Sequence, residues 1–360
     1  MRKLILLGII SILIGVDANA FSPTVICMTG KLETTLPAYK SAFLNAVHLA
    51  LSKSPISQQV QVKTYFFDSR PLSPIRAYNQ MVRDHCAAII GFEYLSDLLL
   101  ITKLQQNETI PIFTSYASSN SWEKLPENIF LFMPSYDYQA KKMLEFLKDK
   151  FGSLKKVLVI TEIDRVDLAK YKIAYEKQFK QAKITYEQFN FIGNDEQVEK
   201  KLANHLITHK TYSFIFVFSS AVGSTKIINF MNNHKAIFIG TENFGSSTNQ
   251  SLFVRLNDKK LSAYTIRNLD FLKQNKRLAH YRREYMKQYK AMPNPLSAYT
   301  YDAMKIILKT LEKNHFINTK SILGTNFDGI TGVRIKNGQF YRSNQYVILS
   351  ISKKGFVYER

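Results

Sequence analysis

Residues Ala87–Ser119, AAIIGFEYLSDLLLITKLQQNETIPIFTSYASS, carry the reading that decides the fold. Ala87–Ile90 is a short buried strand that ends at Gly91, and Phe92–Leu95 forms a turn. Ser96 then stands before Asp97 and a leucine-rich run, the pattern of an N-cap and an acidic first helical turn. Ile110–Thr114 is a second buried strand, followed by the polar loop Ser115–Ser119. Two parallel strands joined by one helix place two loops, rich in hydroxyls and N–H groups, at their carboxyl ends. Open α/β sheets bind small ligands at that edge. The partial positive charge of the helix N-terminus suits a carboxylate. The plainer alternative is an ordinary βαβ unit capped by Ser96.

The same alternation extends outward in both directions. Thr24–Thr29, Val60–Phe67 and Phe130–Met133 read as strands, with helices at Leu36–Ser52 and Pro74–His85. From Asp137 the alternation begins again: strands at Lys156–Thr161, Ile184–Phe191, Phe214–Phe218 and Ala236–Ile239, separated by helices. Long helices are expected over Lys259–Tyr289 and Pro295–Lys313, then short strands around the Asn337-Gly338 hairpin signal. The expected fold class is α/β: two doubly wound parallel-sheet lobes without a low-complexity linker between them.

The chain has 360 residues, enough for about two domains. Its 46% hydrophobic and 13% aromatic content supports full cores. Residues 1–20 read as a signal peptide. Arg2 and Lys3 precede the apolar run Leu4–Val16, and Ala18-Asn19-Ala20 matches an A-x-A cleavage site, so the mature chain is expected to start at Phe21 in the periplasm. Processing takes the net charge from +21 to +20, with 47 basic and 27 acidic side chains remaining. The basic residues are scattered at helical spacing, which indicates a solvated outer face. Export argues against nucleic acid and leaves weak attraction to an anionic envelope surface. Cys27 and Cys86 lack metal-ligand spacing. An exported compartment permits a bridge between them, but both lie in or beside parallel strands, where bridge geometry is poor, so the sequence leaves the bridge open with free thiols the favoured alternative. No nucleophile with a base, paired carboxylates or phosphate loop is present, which argues against an enzyme and against a bound cofactor.

Three segments, in order and at matching spacing, resemble the type I periplasmic binding proteins, in particular the branched-chain amino-acid-binding group of ABC transporters. Pro295-Leu296-Ser297-Ala298-Tyr299-Thr300-Tyr301-Asp302-Ala303 looks like that group's A-x-x-YDA helix. Phe327-Asp328-Gly329-Ile330-Thr331-Gly332-Val333-Arg334-Ile335 with Asn337-Gly338 looks like its glycine turn and hairpin. Met133-Pro134-Ser135-Tyr136-Asp137 is similar to its P-S-D helix start. The resemblance covers nearly the whole mature chain. It implies two lobes joined by three crossovers, with residues 21–135 and 256–326 in one and 136–255 and 327–360 in the other. It also implies a small polar ligand, an amino acid, held in the cleft and delivered to an ABC permease or presented to a sensor. The alternative is a degenerate binding fold acting as an envelope regulator. The ligand residues implied are Ala117 (backbone) and Ser118 (hydroxyl) in the loop after Ile110–Thr114, Ser96 in the first loop, and Glu242 for the ligand ammonium, with a solvent-facing loop residue as the other reading of Glu242. The group's two lid aromatics correspond to Val166 and Ser220, so the pocket need not favour leucine-like side chains.

Overall fold

A computed structural model describes residues 22–31, 37–68, 70–105, 110–121, 124–193, 195–208, 211–231, 234–241, 244, 262–269, 271, 275–352 and 355–359. The expected signal peptide and Glu242 lie outside them. Strand β1 (Thr24–Lys31), helix α1 (Pro37–Leu51), β2 (Val60–Phe67), α2 (Ser73–Arg83), β3 (Ala88–Ile90), α3 (Leu95–Thr102), β4 (Ile112–Thr114) and β5 (Ile129–Leu131) form the first series. Their five strands make a parallel sheet in the order β2-β1-β3-β4-β5. Strands β3 to β5 are buried throughout and are apolar except for Thr114, as a sheet covered on both faces requires.

The second series follows: α4 (Tyr136–Phe151), β6 (Val157–Glu162), α5 (Val166–Gln181), β7 (Tyr186–Phe191), α6 (Val198–Thr208), β8 (Phe214–Phe218), α7 (Ala221–Met231), β9 (Ile237–Gly240) and β10 (Ser262–Asn268). Then come α8 (Lys276–Tyr289), α9 (Pro295–Asn314), α10 (Thr319–Leu323), β11 (Phe327–Asp328), β12 (Arg334–Lys336), β13 (Gln339–Tyr341), β14 (Tyr346–Ser352) and β15 (Gly355–Tyr358). The second sheet runs β15-β14-β10-β9-β8-β6-β7, with β14 and β15 added antiparallel at one edge. The chain passes between the two sheets three times: through α4, from β10 to α9, and from β13 to β14.

Two expectations are corrected. Ser262–Asn268 is not helical: it pairs with β9 on one side and β14 on the other, and this two-sided ladder outweighs its mixed composition. It therefore belongs with the second sheet, although residues 256–326 were expected in the first lobe. Conversely, β11–β13 join the first unit rather than the second: Phe340 stacks edge-on against Phe130 at 5.2 Å, and Val333 and Ile335 enter the same core. The structure also decides the alternative that the sequence left open, against the favoured free thiols: Cys27 and Cys86 are bridged, with Cα atoms 5.7 Å apart. Cys86 sits before the first ladder residue of β3, after a turn at His85 (φ 53°), so ladder geometry does not bind it.

The C-terminal motifs have a structural cause. Asn294 and Ser297 cap α9 reciprocally. One turn further on, buried Asp302 accepts the N–H groups of Ile330 (3.1 Å) and Thr331 (2.9 Å) and the Thr331 hydroxyl (2.5 Å). A Cβ at Gly329 would lie 2.3 Å from that carboxylate, so only glycine fits there. Burial raises the Asp302 pKa to about 6. Asp302→Ala strands three donors, and urea unfolding should show a loss of about 2 kcal/mol.

Candidate functional site

The carboxyl ends of the parallel strands of the two sheets meet where α3 and α5 pack together. On the first side the backbone is strained. Gly91 has φ 149°, and a Cβ there would lie 2.2 Å from the Thr29 carbonyl oxygen. The next residue, Phe92, holds φ 56°, an unusual conformation for a bulky side chain, kept in place because its ring is fully buried. Such outliers gather where function over-determines the backbone. The turn drives Glu93 inward, to 5% exposure. Its carboxylate accepts the N–H of Lys31 and its own, while burial, aided by the charge of Asp97, raises its pKa to about 7. Gly30 lies beside it, and a Cβ there, 2.9 Å from Glu93 Oε1, would push the carboxylate aside.

Helix α3 begins at Leu95 with Tyr94 as its N-cap residue and no side-chain cap. Ser96 is thus inside the helix instead of capping it, because the Gly91–Phe92 turn takes up the backbone the cap would have used. Ser96 bonds instead to the Asp97 carboxylate. Asp97 is only 6% exposed, and its Oδ2 has no hydrogen-bond partner. Burial raises its pKa, opposed by the charge of Lys31. Lys31 Nζ lies 5.3 Å from the centre of the Tyr94 ring.

The loop after β4 is polar as expected, but its groups engage the protein itself. The Thr114 hydroxyl donates to the Phe92 carbonyl (3.3 Å) and accepts the Ala117 N–H (3.0 Å), tying the two loops together. Ser118 is buried and donates to the Pro134 carbonyl at 2.7 Å. Arg342, on the third crossing, donates to the Ser119 carbonyl and hydroxyl at 3.1 and 3.0 Å. Asn120 donates to the Lys170 carbonyl of α5 (3.3 Å), a direct bond between the two sides.

On the second side, Glu162 ends β6 at 4% exposure, and its Oε2 accepts the Ser220 N–H at 2.6 Å, at the start of α7. The protein's own carboxylate therefore sits at this helix N-terminus, where an anionic ligand would otherwise be favoured. The Ser220 hydroxyl accepts the Gly223 N–H (3.1 Å). Val166 opens α5 and is 43% exposed. Just before it, Arg165 donates to both Asp167 carboxylate oxygens, at 3.3 and 3.1 Å. Burial opposes the Arg165 charge, but Asp167, Tyr94 and Glu162 together hold its pKa above the ordinary value. Asp167 in turn acts on Asp97, and Tyr94 on Arg165, so the charges of the two sides face each other.

The chain has the type I periplasmic binding fold. It is similar in structure to a leucine-binding protein from Thermotoga maritima MSB8, with a TM-score of 0.77 and 15% identity over 94% of this chain and 98% of that one. A possible leucine/isoleucine/valine-binding protein from Rhodopirellula baltica SH 1 gives 0.74 and 15% over 96% and 98%. A solute-binding protein of an ABC transporter from R. palustris, in complex with benzoate, gives 0.72 and 11% over 93% and 95%. No protein-family model matches the sequence, and no curated protein matches it. The binding-fold reading thus agrees with the sequence resemblance. What that resemblance missed is the acidic and basic set at the junction: Lys31, Glu93, Asp97, Glu162, Arg165 and Asp167. Their signal was a pair of carboxylates four residues apart, Glu93 and Asp97, straddling a strand exit and a helix start.

Proposed function

We propose that this is an exported solute-binding protein that closes on a small polar ligand, an amino acid, and delivers it to an ABC permease. The observation that carries the reading is the meeting of two sheet edges, each at the carboxyl ends of parallel strands, across a junction crossed three times by the chain. Crossings of this kind act as hinges, and a ligand that touches both sides only in the closed form shifts the population toward closure. The structural neighbours, described as leucine-binding and ABC substrate-binding proteins, support it. The Cys27–Cys86 bridge supports export, since disulfides persist in oxidising compartments. No helix among the described residues is long and apolar enough to cross a membrane. Ser118, Ala117, Ser96, Ser220 and Glu242 remain the ligand residues proposed from the sequence, Ser118 and Ala117 acting after exchange of their internal partners.

A specific observation favours a second reading. The hydroxyl and N–H groups meant for a ligand carboxylate already have protein partners, and Glu162 occupies the start of α7. A binding fold that no longer takes a ligand and serves as an envelope regulator fits those contacts. A thermal-shift screen of amino acids and aromatic acids separates the two. A ligand at 100 times its Kd stabilises by about 2.7 kcal/mol, whereas the regulator shows no shift with any of them.

A further inference from the structure

We propose that the buried Asp97 carboxylate, with Glu93 behind it, is a subsite for a cationic group of the cleft ligand, so that the protein selects a molecule carrying an alkylammonium or guanidinium group. This rests on the solute-binding reading above and narrows its ligand class.

Asp97 lies in the first turn of α3, where that helix meets α5 of the other side. It is only 6% exposed, yet Oδ2 has no hydrogen-bond partner. An ionised oxygen removed from water without a partner is strongly unfavourable, and a donor of positive charge relieves it. The surrounding charges do not supply one fully. Arg165 is held bidentately by Asp167 on its own helix, and Lys31 lies over the Tyr94 ring. The interacting set thus contains four carboxylates, Glu93, Asp97, Glu162 and Asp167, against two cations, Lys31 and Arg165. This acidic spot is embedded in a chain of net charge +21, so it is not a reflection of overall composition.

Placement on the junction has a mechanical consequence. Asp97 and Asp167 belong to opposite sides and repel each other as those sides approach. A cation between them removes the repulsion, so it binds the closed form better and drives closure. A metal ion is the less suitable occupant: among the described residues no group of three or more His, Cys, Asp or Glu can hold one. An ammonium or guanidinium supplies several directional donors to separate carboxylates, which matches the arrangement.

Calorimetry on the purified mature chain tests this with lysine, arginine, putrescine, leucine and benzoate as probes. Lysine or arginine should bind more tightly than leucine, and putrescine shows whether the α-carboxylate is also needed. Asp97→Asn should weaken the basic probes by about tenfold or more, since a hydrogen bond to a charged group is lost. Thermal unfolding of the unliganded variant should be unchanged or raised, because a buried charge without a full complement of partners has been removed. Affinity for the basic probes should rise from about pH 6 to about pH 8 as Glu93 ionises. Preference for leucine or benzoate, or an Asp97→Asn variant that binds basic probes like the unaltered chain, overturns the subsite and leaves the solute-binding reading standing. If none of the probes binds, both fail.

Discussion

Reduction of the Cys27–Cys86 bridge should lower the unfolding free energy by about 4 kcal/mol, the value expected for a closed loop of this size. The two cysteines are 59 residues apart, and the loop between them contains α1, β2 and α2. In the unfolded chain the bridge removes the entropy of keeping those ends apart, so the folded state gains relative to it. Both sulfurs are buried in the core between β1, β3 and α2, and Cys27→Ala/Cys86→Ala also removes their packing. Urea titration should place the midpoint of the reduced chain well below that of the oxidised chain, and the midpoint of the double variant lower still, by the packing it also loses. Coincident midpoints for oxidised and reduced chains would show that the bridge carries no stability.

That bridge also shows where sequence reasoning stopped. The strands were legible because each buried strand is a compact apolar run, such as Ala88–Ile90 or Phe214–Phe218, set between polar turns. Neighbouring strands in a parallel sheet come from distant parts of the chain, so the approach of Cys86 to Cys27 depended on strand order and on one turn outside the ladder. The same limit applies to Ser262–Asn268. Its residues, SAYTIRN, alternate too weakly to mark a strand, and it acquires that identity only from pairing on both sides. The division of the chain between lobes shifted for this reason. The motifs at Asp302 and Gly329 were legible because one carboxylate and one missing side chain fit each other locally. The charged junction left only the Glu93 and Asp97 pair in GFEYLSD as a signal, and Glu93 reads as solvent-facing until the strained turn at Gly91 and Phe92 points it inward.

Glu93 should make the protein less stable as pH rises through the neutral range. Its folded pKa, about 7, lies above the ordinary value of 4.5, because burial disfavours the charge and Asp97 adds repulsion. The folded state therefore holds a proton that the unfolded state releases. The favourable contribution is complete below about pH 4.5 and is lost by about pH 7, a total of about 3 kcal/mol at about 1.4 kcal/mol per unit. Asp302, raised to about 6, acts in the same direction at lower pH. Asp137 is held below the ordinary value: burial opposes this, but the Ser121 hydroxyl and N–H prevail, so it acts in the opposite sense, losing stability only as pH falls below about 4. Comparing the unaltered chain with Glu93→Gln cancels both of these groups. The amide keeps the shape and one acceptor for the Lys31 N–H, and carries no charge. The variant should match the parent near pH 4.5 and exceed it by about 2–3 kcal/mol near pH 8. Denaturant midpoints measured across that range decide the matter: parallel curves for the two proteins would mean that Glu93 is ionised in the folded state throughout, with water or an internal cation satisfying it.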